Sequence, residues 1–385
     1  MNLKPQYNFK EFELGADFAT DKLKDFKAMI DKSLSFTVLS MPGVGVSYFL
    51  RYLVGQKFAF FIHVDFYLLP SLTQHEFYKL LLTQLGGKTD SKSNEQMFLE
   101  IKDRLKQLCQ TESKIVIIFS RFDQLKKESD VNFLSNLQAL TTIDRGSPRS
   151  AGGAGKIVLI FTAVKPLVEL VEEAISKGNL PFYSKFLYFK PYSLNDLKKL
   201  FRIEEGISPS KDLDRLFELS GGHNQLLHIL LNSQKQQNLL LDQFVKLQMK
   251  GLIDYLDYQQ RKQVQKIALG KRVEEVDEYL LGVGMVQKKD SGYQLFTPLL
   301  TNYVKTNLPA KLPPQEAKLF KLLRNNSGQV VTKEEIFNSL WEDSDKGTDW
   351  ALDALIYRLR NHPFMKSNGY IIESHKKIGY SLIQA

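Results

Sequence analysis

The stretch SMPGVGVSYFL, which begins at Ser40, carries residue types that could hold a phosphate group. A phosphate-binding loop reads G-x-x-x-x-G-K-[ST]: backbone N–H groups surround the phosphates, the lysine neutralises them and the hydroxyl binds Mg²⁺. Gly43, Gly45 and Ser47 stand where the loop glycines and the hydroxyl are needed. Ser40 takes the first glycine position and Val46 takes the lysine position. The spacing therefore predicts a phosphate-binding loop that lacks its cation.

A second set of candidate residues lies in LDALIYRLR, at residues 352–360. Its leucines and its isoleucine recur at helical spacing, so one face of the predicted helix would be buried. Tyr357, Arg358 and Arg360 point away from that face. An exposed helix face of this kind can enter the major groove of DNA, where arginine reads guanine.

Two alternatives for this helix stay open at this point. Arg358 or Arg360 could stabilise the fold by pairing with Asp353 or Glu373 instead of touching DNA. Residues 346–385 contain six Lys or Arg and three Asp or Glu. That excess of positive charge is modest for a DNA-binding surface, and a protein-binding surface would fit it as well.

Apolar runs that alternate with amphipathic stretches through residues 36–190 must position the first loop. The runs read SFTVLS, FAFFIHVDF, KIVIIF, KIVLIF and, more weakly, FLYFKPY. Unbroken apolar runs of this length are typical of parallel strands buried on both faces. Their alternation with helices predicts an α/β domain with a parallel sheet. The loop then follows a strand and precedes a helix, as phosphate binding requires.

The pattern becomes helical from residue 193. LSGGHNQLLHILLN, at 219–232, is a glycine turn that leads into an apolar helix. Helices followed by a hairpin in GVGMVQKKDSGYQLFTPLLTNYV, at 282–304, are a winged-helix pattern. Helices followed by a hairpin recur in the last 74 or so residues.

Composition excludes some classes of function and leaves others open. The chain has 385 residues, a formal net charge of +9 and a pI of about 9.2. This balance is compatible with nucleic-acid binding, but a lysine-rich solvated surface would give the same value. Cys109 is the single cysteine, which excludes an intramolecular disulfide and gives no metal cluster. No apolar run is long enough to cross a bilayer, and no signal-peptide pattern opens the sequence.

Four ordered landmarks near the C-terminus carry a resemblance to a known family. They read LPPQEAKLFKLL, NSGQVVTKEEIFNSLW, LDALIYRLR and YIIESHKKIGYSL. In this order and at this spacing, the stretch resembles the OmpR/PhoB-type winged-helix DNA-binding domain over nearly its whole length. The matching positions include Gly328, Thr332, Trp341, Gly379 and Tyr380.

The resemblance implies which residues would contact DNA. LDALIYRLR corresponds to the recognition helix, and the hairpin corresponds to the wing, whose tip places a basic residue at the DNA backbone or minor groove. The implied DNA-binding residues are Trp350, Tyr357, Arg358, Arg360, Lys376 and Lys377. Trp350 is a departure, since the family often has a basic residue near the start of this helix.

The order of parts over roughly residues 15–305 resembles the AAA+/STAND class of P-loop ATPases, especially those with an attached winged helix. KIVIIFSRFDQL corresponds to the Walker B strand, and here Ser120 and Arg121 replace its two acidic residues. Without the loop lysine the γ-phosphate charge is not neutralised, and without the acid Mg²⁺ loses its anchor. The resemblance therefore implies a pseudo-ATPase with no catalytic residue and no metal site. Residual ATP or ADP binding at the loop stays open, and no other cofactor is expected.

The predicted fold class is an α/β parallel-sheet, P-loop (AAA+-like) domain with a helical lid and two winged-helix domains. The predicted boundaries are 1–192 for the degenerate AAA+/STAND-like domain, 193–250 for the lid, 251–308 for the first winged helix and 309–385 for the OmpR/PhoB-type domain.

The predicted function is a DNA-binding transcription regulator. The degenerate module would serve as a scaffold, an oligomerisation unit or a signal receiver. Two alternatives are an origin-recognition or initiator-like DNA protein, and a protein-binding adaptor in a heteromeric AAA+ assembly. The expected partners are double-stranded DNA and AAA+-like proteins in a homo- or hetero-oligomer, without a membrane segment. We expect a cytoplasmic, nucleoid-associated location.

Overall fold

The computed structural model of the chain describes residues 7–90, 92–144, 155–172, 176, 184–205, 212–233, 239, 242–289, 292–307, 312–341, 348–362, 364–365, 369–376 and 378–384. The chain divides into two compact units. The first contains residues 1–245 and 278–287, and the second contains residues 246–277 and 288–385. The finer division into four domains stays a prediction.

A parallel five-stranded sheet forms the centre of the first unit. Its strands are β1 (Phe36–Ser40), β2 (Phe60–Asp65), β3 (Ile115–Ser120), β4 (Ile157–Ala163) and β5 (Phe186–Phe189). The strand order is β2-β3-β4-β1-β5, and every neighbouring pair is parallel. All residues of β1, β3 and β4 are buried, which is why these strands appear in the sequence as unbroken apolar runs. The predicted α/β class is confirmed.

Helices connect and cover these strands. They are α1 (Thr20–Asp31), α2 (Val46–Val54), α3 (Gln74–Gln84), α4 (Asn94–Thr111), α5 (Val131–Leu140), α6 (Leu167–Leu170), α7 (Leu194–Glu205), α8 (Asp212–Ser220) and α9 (Asn224–Asn232). Short 3-10 helices span Lys10–Glu13, Phe66–Leu68 and Phe122–Glu128. One apolar cluster joins α3, α4 and α5 to β2, β3 and β4. This cluster packs against β3 and β4, two of the three strands that end at the candidate site.

The segment after α9 contains α10 (Gln243–Asp254), α11 (Tyr258–Ala268) and α12 (Glu278–Gly282), and then β6 (Val286–Lys289), β7 (Gly292–Leu295) and α13 (Pro298–Thr306). β6 and β7 form a two-stranded sheet. Helix α12 belongs to the first unit. The elements follow the order predicted for the inner winged helix, whose identity as a domain stays a prediction.

The C-terminal part of the second unit has the predicted winged-helix architecture. Its elements are α14 (Pro314–Asn325), β8 (Val331–Thr332), α15 (Lys333–Leu340), α16 (Asp349–Asn361), β9 (Tyr370–His375) and β10 (Gly379–Gln384). The three strands form an antiparallel sheet in the order β8-β10-β9. Leu352, Leu355, Ile356 and Leu359 are buried in one cluster with residues from α14, α15 and the sheet. The helical spacing of LDALIYRLR therefore predicts the buried face of α16 correctly.

Candidate functional site

The loop between β1 and α2 turns sharply at two glycines. Gly43 has a φ of 76° and Gly45 a φ of 104°, which is the left-handed region that glycine occupies without steric cost. Gly45 is the N-cap of α2, so Val46 is the first residue of the helix. The strand-loop-helix order predicted from the sequence is confirmed, and Val46 stands at the helix N-terminus where a P-loop would place its lysine.

Three backbone carbonyls of this loop accept hydrogen bonds from residues distant in sequence. The Tyr192 hydroxyl donates to the oxygen of Gly45 at 2.8 Å. The backbone N–H of Gln225 donates to the oxygen of Gly43 at 3.0 Å. The Nε2 atom of His223 lies 2.8 Å from the oxygen of Pro42. The protein itself therefore fixes the conformation of the loop.

The hydrogen bonds of His223 define its protonation state. A carbonyl oxygen only accepts, so Nε2 carries the proton that is donated to Pro42. Nδ1 then accepts from the backbone N–H of Leu226 at 3.2 Å and caps α9. Burial lowers the pKa of His223 from 6.5 to about 4. His223 is therefore neutral at pH 7, and one imidazole joins the loop to the start of α9.

A cavity of about 540 Å³ opens beside the loop. It is lined by residues 40–48 and by Arg121, Asp123, Gln124, Thr162, Ala163, Val164, Asn224, Gln225 and His228. The cavity lies at the carboxyl ends of β1, β3 and β4, where open α/β sheets bind their ligands. Gly43, Gly45 and Ser47 all line this cavity, and their role in nucleotide binding stays a prediction.

Ser120, which the sequence analysis assigned to the first Walker B acidic position, forms a hydrogen bond inside the sheet. Its hydroxyl lies 2.6 Å from Nε2 of His63 on the neighbouring strand β2, and it is 1% exposed. Burial is the largest cause that lowers the pKa of His63 to about 4. Both side chains are neutral at pH 7, so this pair supplies no negative charge for a metal ion.

Arg121, which the sequence analysis assigned to the second Walker B acidic position, adopts a left-handed backbone with a φ of 62°. Its backbone N–H donates to Oγ1 of Thr162 at 2.8 Å, which holds this conformation. Its guanidinium lies 3.2 Å from a carboxylate oxygen of Asp65 and 4.8 Å from the centre of the Tyr67 ring. Of the described residues that line the cavity, Arg121 is the only lysine or arginine, and its charge is already paired.

Asp123 is the one carboxylate among the described residues that line this cavity. Burial is the largest cause that raises its pKa. The wall thus carries one paired cation and one carboxylate whose charged form is disfavoured. This arrangement could accept a neutral or singly charged group more readily than a triphosphate with Mg²⁺, whose site needs both a free cation and an anionic metal ligand.

The two arginines of α16 have partners within their own domain. Nε of Arg358 lies 2.8 Å from a carboxylate oxygen of Glu316, which is buried on α14. Arg360 donates to the backbone oxygen of Ile372 at 3.1 Å and to the hydroxyl of Ser374 at 2.6 Å. The arginines therefore stabilise the fold, although not through Asp353 or Glu373.

Other predicted DNA-binding residues point outward. Trp350 is 81% exposed and Tyr357 is 69% exposed, both on α16. Lys376 is exposed at the turn between β9 and β10. Lys377 lies outside the described residues. Solvent exposure therefore leaves Trp350, Tyr357 and Lys376 accessible to a partner.

The sequence did not reveal that the side chains of Tyr192 and His223 hydrogen-bond to carbonyl oxygens of the loop. A signal was present in the Gly-Gly-His sequence: Gly222 has a φ of 80°, and a Cβ there would lie 2.2 Å from the backbone oxygen of Tyr192. Only glycine allows this approach, and the backbone N–H of Tyr192 donates to the oxygen of Gly222 at 3.1 Å. The partner of the histidine could not be identified without the fold.

Residues 307–382 match the family model described as "Transcriptional regulatory protein, C terminal". The C-terminal domain is therefore an OmpR/PhoB-type winged-helix DNA-binding domain. No curated protein sequence matches the chain significantly. No helix among the described residues is long and apolar enough to cross a membrane, and the same residues contain no cluster of His, Cys, Asp or Glu suited to a metal ion.

The chain is similar to several solved structures. A Walker-type ATPase of Pyrococcus abyssi has 15% identity and a TM-score of 0.48, with 78% of this chain and 98% of that chain covered. The ORC2 protein of Aeropyrum pernix has 12% identity and a TM-score of 0.40, with coverages of 80% and 97%. A STAND protein of Pyrococcus horikoshii with a tetratricopeptide repeat sensor has 15% identity and a TM-score of 0.31, with coverages of 93% and 52%.

Proposed function

We propose that this protein is a DNA-binding transcription regulator whose C-terminal winged helix contacts double-stranded DNA. The match of residues 307–382 to the C-terminal domain of transcriptional regulatory proteins carries the proposal. The geometry agrees, since α16 buries its apolar face and leaves Trp350 and Tyr357 outward, and Lys376 is exposed at the hairpin turn. A helix presented in this way can enter the major groove while the hairpin contacts the backbone.

In this proposal the α/β module is a scaffold, an oligomerisation unit or a signal receiver that does not hydrolyse ATP. Val46 supplies no charge at the helix N-terminus, and Ser120 is hydrogen-bonded to His63 inside the sheet. Arg121 would repel Mg²⁺, and its charge is directed at Asp65. Residual ATP or ADP binding through the loop amides is retained as part of the proposal, because a helix N-terminus still favours an anion.

Fluorescence anisotropy with the full chain tests DNA binding. A pool of random duplexes is titrated across a salt series, because each phosphate contact makes binding weaken with salt. Lys376→Ala is expected to weaken binding to all sequences and to reduce the slope of log K against log salt by about 1. Lys321→Ala is the matched control, since Lys321 is an exposed lysine on α14. Wild-type protein that does not bind DNA even at low salt would refute the proposal.

A protein-binding adaptor is the second candidate function. The observation that favours it is the pairing of Arg358 and Arg360 inside the domain, together with two exposed aromatic rings on α16. Aromatic residues are enriched in protein interfaces, whereas charged residues are depleted at their centre. Salt-sensitive binding of duplex DNA would count against this candidate, and its absence would leave it as the better explanation.

A further inference from the structure

The outward face of α16 offers two aromatic rings, and both arginines of this helix make bonds within the domain. Trp350 and Tyr357 are seven residues apart, which places them on adjacent parts of the same face about 10 Å apart along the helix. Arg358 and Arg360 hold Glu316 and the β9 strand, as described above. These bonds are made within the domain and fix where both guanidinium groups lie. Trp350 and Tyr357 are therefore the exposed groups of the helix whose role the fold does not already account for.

The two rings share a chemical pattern that suits one DNA base. Each has a broad apolar surface and one polar hydrogen, on Nε1 of Trp350 or on the hydroxyl of Tyr357. In the major groove thymine presents a C5-methyl group beside the O4 acceptor. Guanine presents two acceptors without a methyl group, cytosine presents a donor, and adenine presents an acceptor and a donor. Thymine alone offers an apolar group together with an acceptor.

We propose that Trp350 and Tyr357 determine sequence specificity by reading thymine bases in the major groove. Because both rings lie on one side of α16, they would reach into the same stretch of major groove. The preferred site would therefore contain two nearby thymines, and their C5-methyl groups would contact the rings. This inference rests on the proposed DNA-binding function and adds to it the base that is read.

Replacement of thymine by deoxyuridine tests the inference, because deoxyuridine lacks only the methyl group. A duplex enriched from a random pool by the full chain is synthesised with each thymine replaced in turn. Loss of one buried methyl group is expected to weaken binding about fourfold, and loss of both about fifteenfold. Replacement of thymines elsewhere in the duplex should leave affinity unchanged.

Variants assign the effect to the two rings. Trp350→Ala and Tyr357→Ala should each remove the deoxyuridine effect at one position and leave it at the other. Tyr357→Phe keeps the apolar ring and should keep the methyl effect. Tyr67→Ala removes a ring that is 76% exposed on the first unit. It should leave the DNA affinity and the deoxyuridine effect unchanged. Both α16 residues are exposed, so these substitutions leave the domain core intact, and Trp341 fluorescence checks that it is folded.

The outcomes separate this inference from the proposed function. Wild-type protein that binds no duplex would overturn both. Binding that is equally strong on thymine and deoxyuridine duplexes would overturn the inference alone. Trp350→Ala and Tyr357→Ala variants that keep wild-type affinity for DNA would also overturn it, and would indicate that the rings face a protein instead.

Discussion

The buried carboxylate of Glu316 makes Arg358 important for the stability of the C-terminal domain. The carboxylate is buried on α14 and lies 2.8 Å from Nε of Arg358, whose side chain is about half exposed. Arg358→Ala is expected to lower the free energy of unfolding of the C-terminal domain by about 2 kcal/mol, because a buried charge loses its partner. Urea unfolding followed by tryptophan fluorescence measures this change, since Trp341 and Trp350 are the two tryptophans of the chain.

The double variant Arg358→Ala with Glu316→Gln is the control for this prediction. The amide carries no charge that needs a counter-ion, so most of the lost stability should return. If Arg358→Ala leaves the domain as stable as the wild type, the ion pair is not structural. Arg358 would then be free to contact DNA.

His223 makes the stability of the first unit depend on pH. Its pKa is lowered from 6.5 to about 4 by burial, so the unfolded chain takes up the proton first as the pH falls. The stabilisation is fully present above pH 6.5 and is lost as the pH falls toward 4. Between pH 7 and pH 5 the loss should be about 2 kcal/mol. Amide hydrogen exchange in α9 at the two pH values measures it.

The variant His223→Asn keeps a good N-cap residue but cannot titrate. We expect it to be less stable than the wild type at pH 7, because the bond to Pro42 is lost. Its stability should fall less between pH 7 and pH 5, by about the same 2 kcal/mol. An unchanged pH dependence in this variant would mean that His63 or other groups cause the acid effect.

The sequence assigned residues to local motifs, but it did not identify their hydrogen-bond and ion-pair partners. The assignment of Val46, Ser120 and Arg121 to P-loop and Walker B positions rests on local strand and loop patterns, and it stays a prediction. The bonds from Ser120 to His63, from Arg121 to Asp65 and from Arg358 to Glu316 each join residues more than 40 positions apart. No local rule of spacing identifies such partners, since they follow from which strands and helices become neighbours.

At the scale of elements, the loop after β1 depends on its two glycines. A Cβ at Gly43 would lie 1.9 Å from the side-chain oxygen of Gln225, and one at Gly45 would lie 2.8 Å from the Tyr192 ring. Gly45→Ala is therefore expected to destabilise the first unit by about 2 kcal/mol, through a strained φ and a displaced ring. Amide hydrogen exchange in α2 measures the local effect.

Gly251 provides the matched comparison. It lies inside α10, it is exposed, and a Cβ there would meet nothing within 4 Å. Gly251→Ala should stabilise its helix by about 1 kcal/mol, because alanine loses less backbone freedom on folding. The prediction for the loop would be wrong if the two substitutions had the same sign.

The sequence predicted where most strands and helices lie, but it did not predict which of them become neighbours in the fold. The apolar runs at β1, β3 and β4 predicted buried parallel strands because both faces of each strand are covered. The strand order places β4 between β3 and β1, and this follows from crossover connections rather than from any single run. The approach of α9 to the loop after β1 was missed for the same reason.

At the scale of the whole molecule, the altered P-loop predicts that the purified chain releases no phosphate from ATP above the level of buffer. Val46→Lys should strengthen nucleotide binding, because the new charge stands at the first residue of α2 beside the cavity. We expect ADP affinity to rise about fivefold, the effect of one partly exposed ion pair. Val54→Lys, at the far end of the same helix, should have no such effect.

Linkage between nucleotide and DNA decides whether the first unit acts as a signal receiver for nucleotides or as a scaffold. If ATP changes DNA affinity by some factor, DNA must change ATP affinity by the same factor. We expect a factor close to 1, because Arg121 is the only lysine or arginine among the described residues that line the cavity, and it is paired with Asp65. Anisotropy on DNA with and without ATP and Mg²⁺ measures one side, and calorimetric titration of ATP into the protein with and without DNA measures the other. Equal factors well above 1 from both measurements would instead mean that the cavity beside Gly43 and Gly45 receives a nucleotide signal.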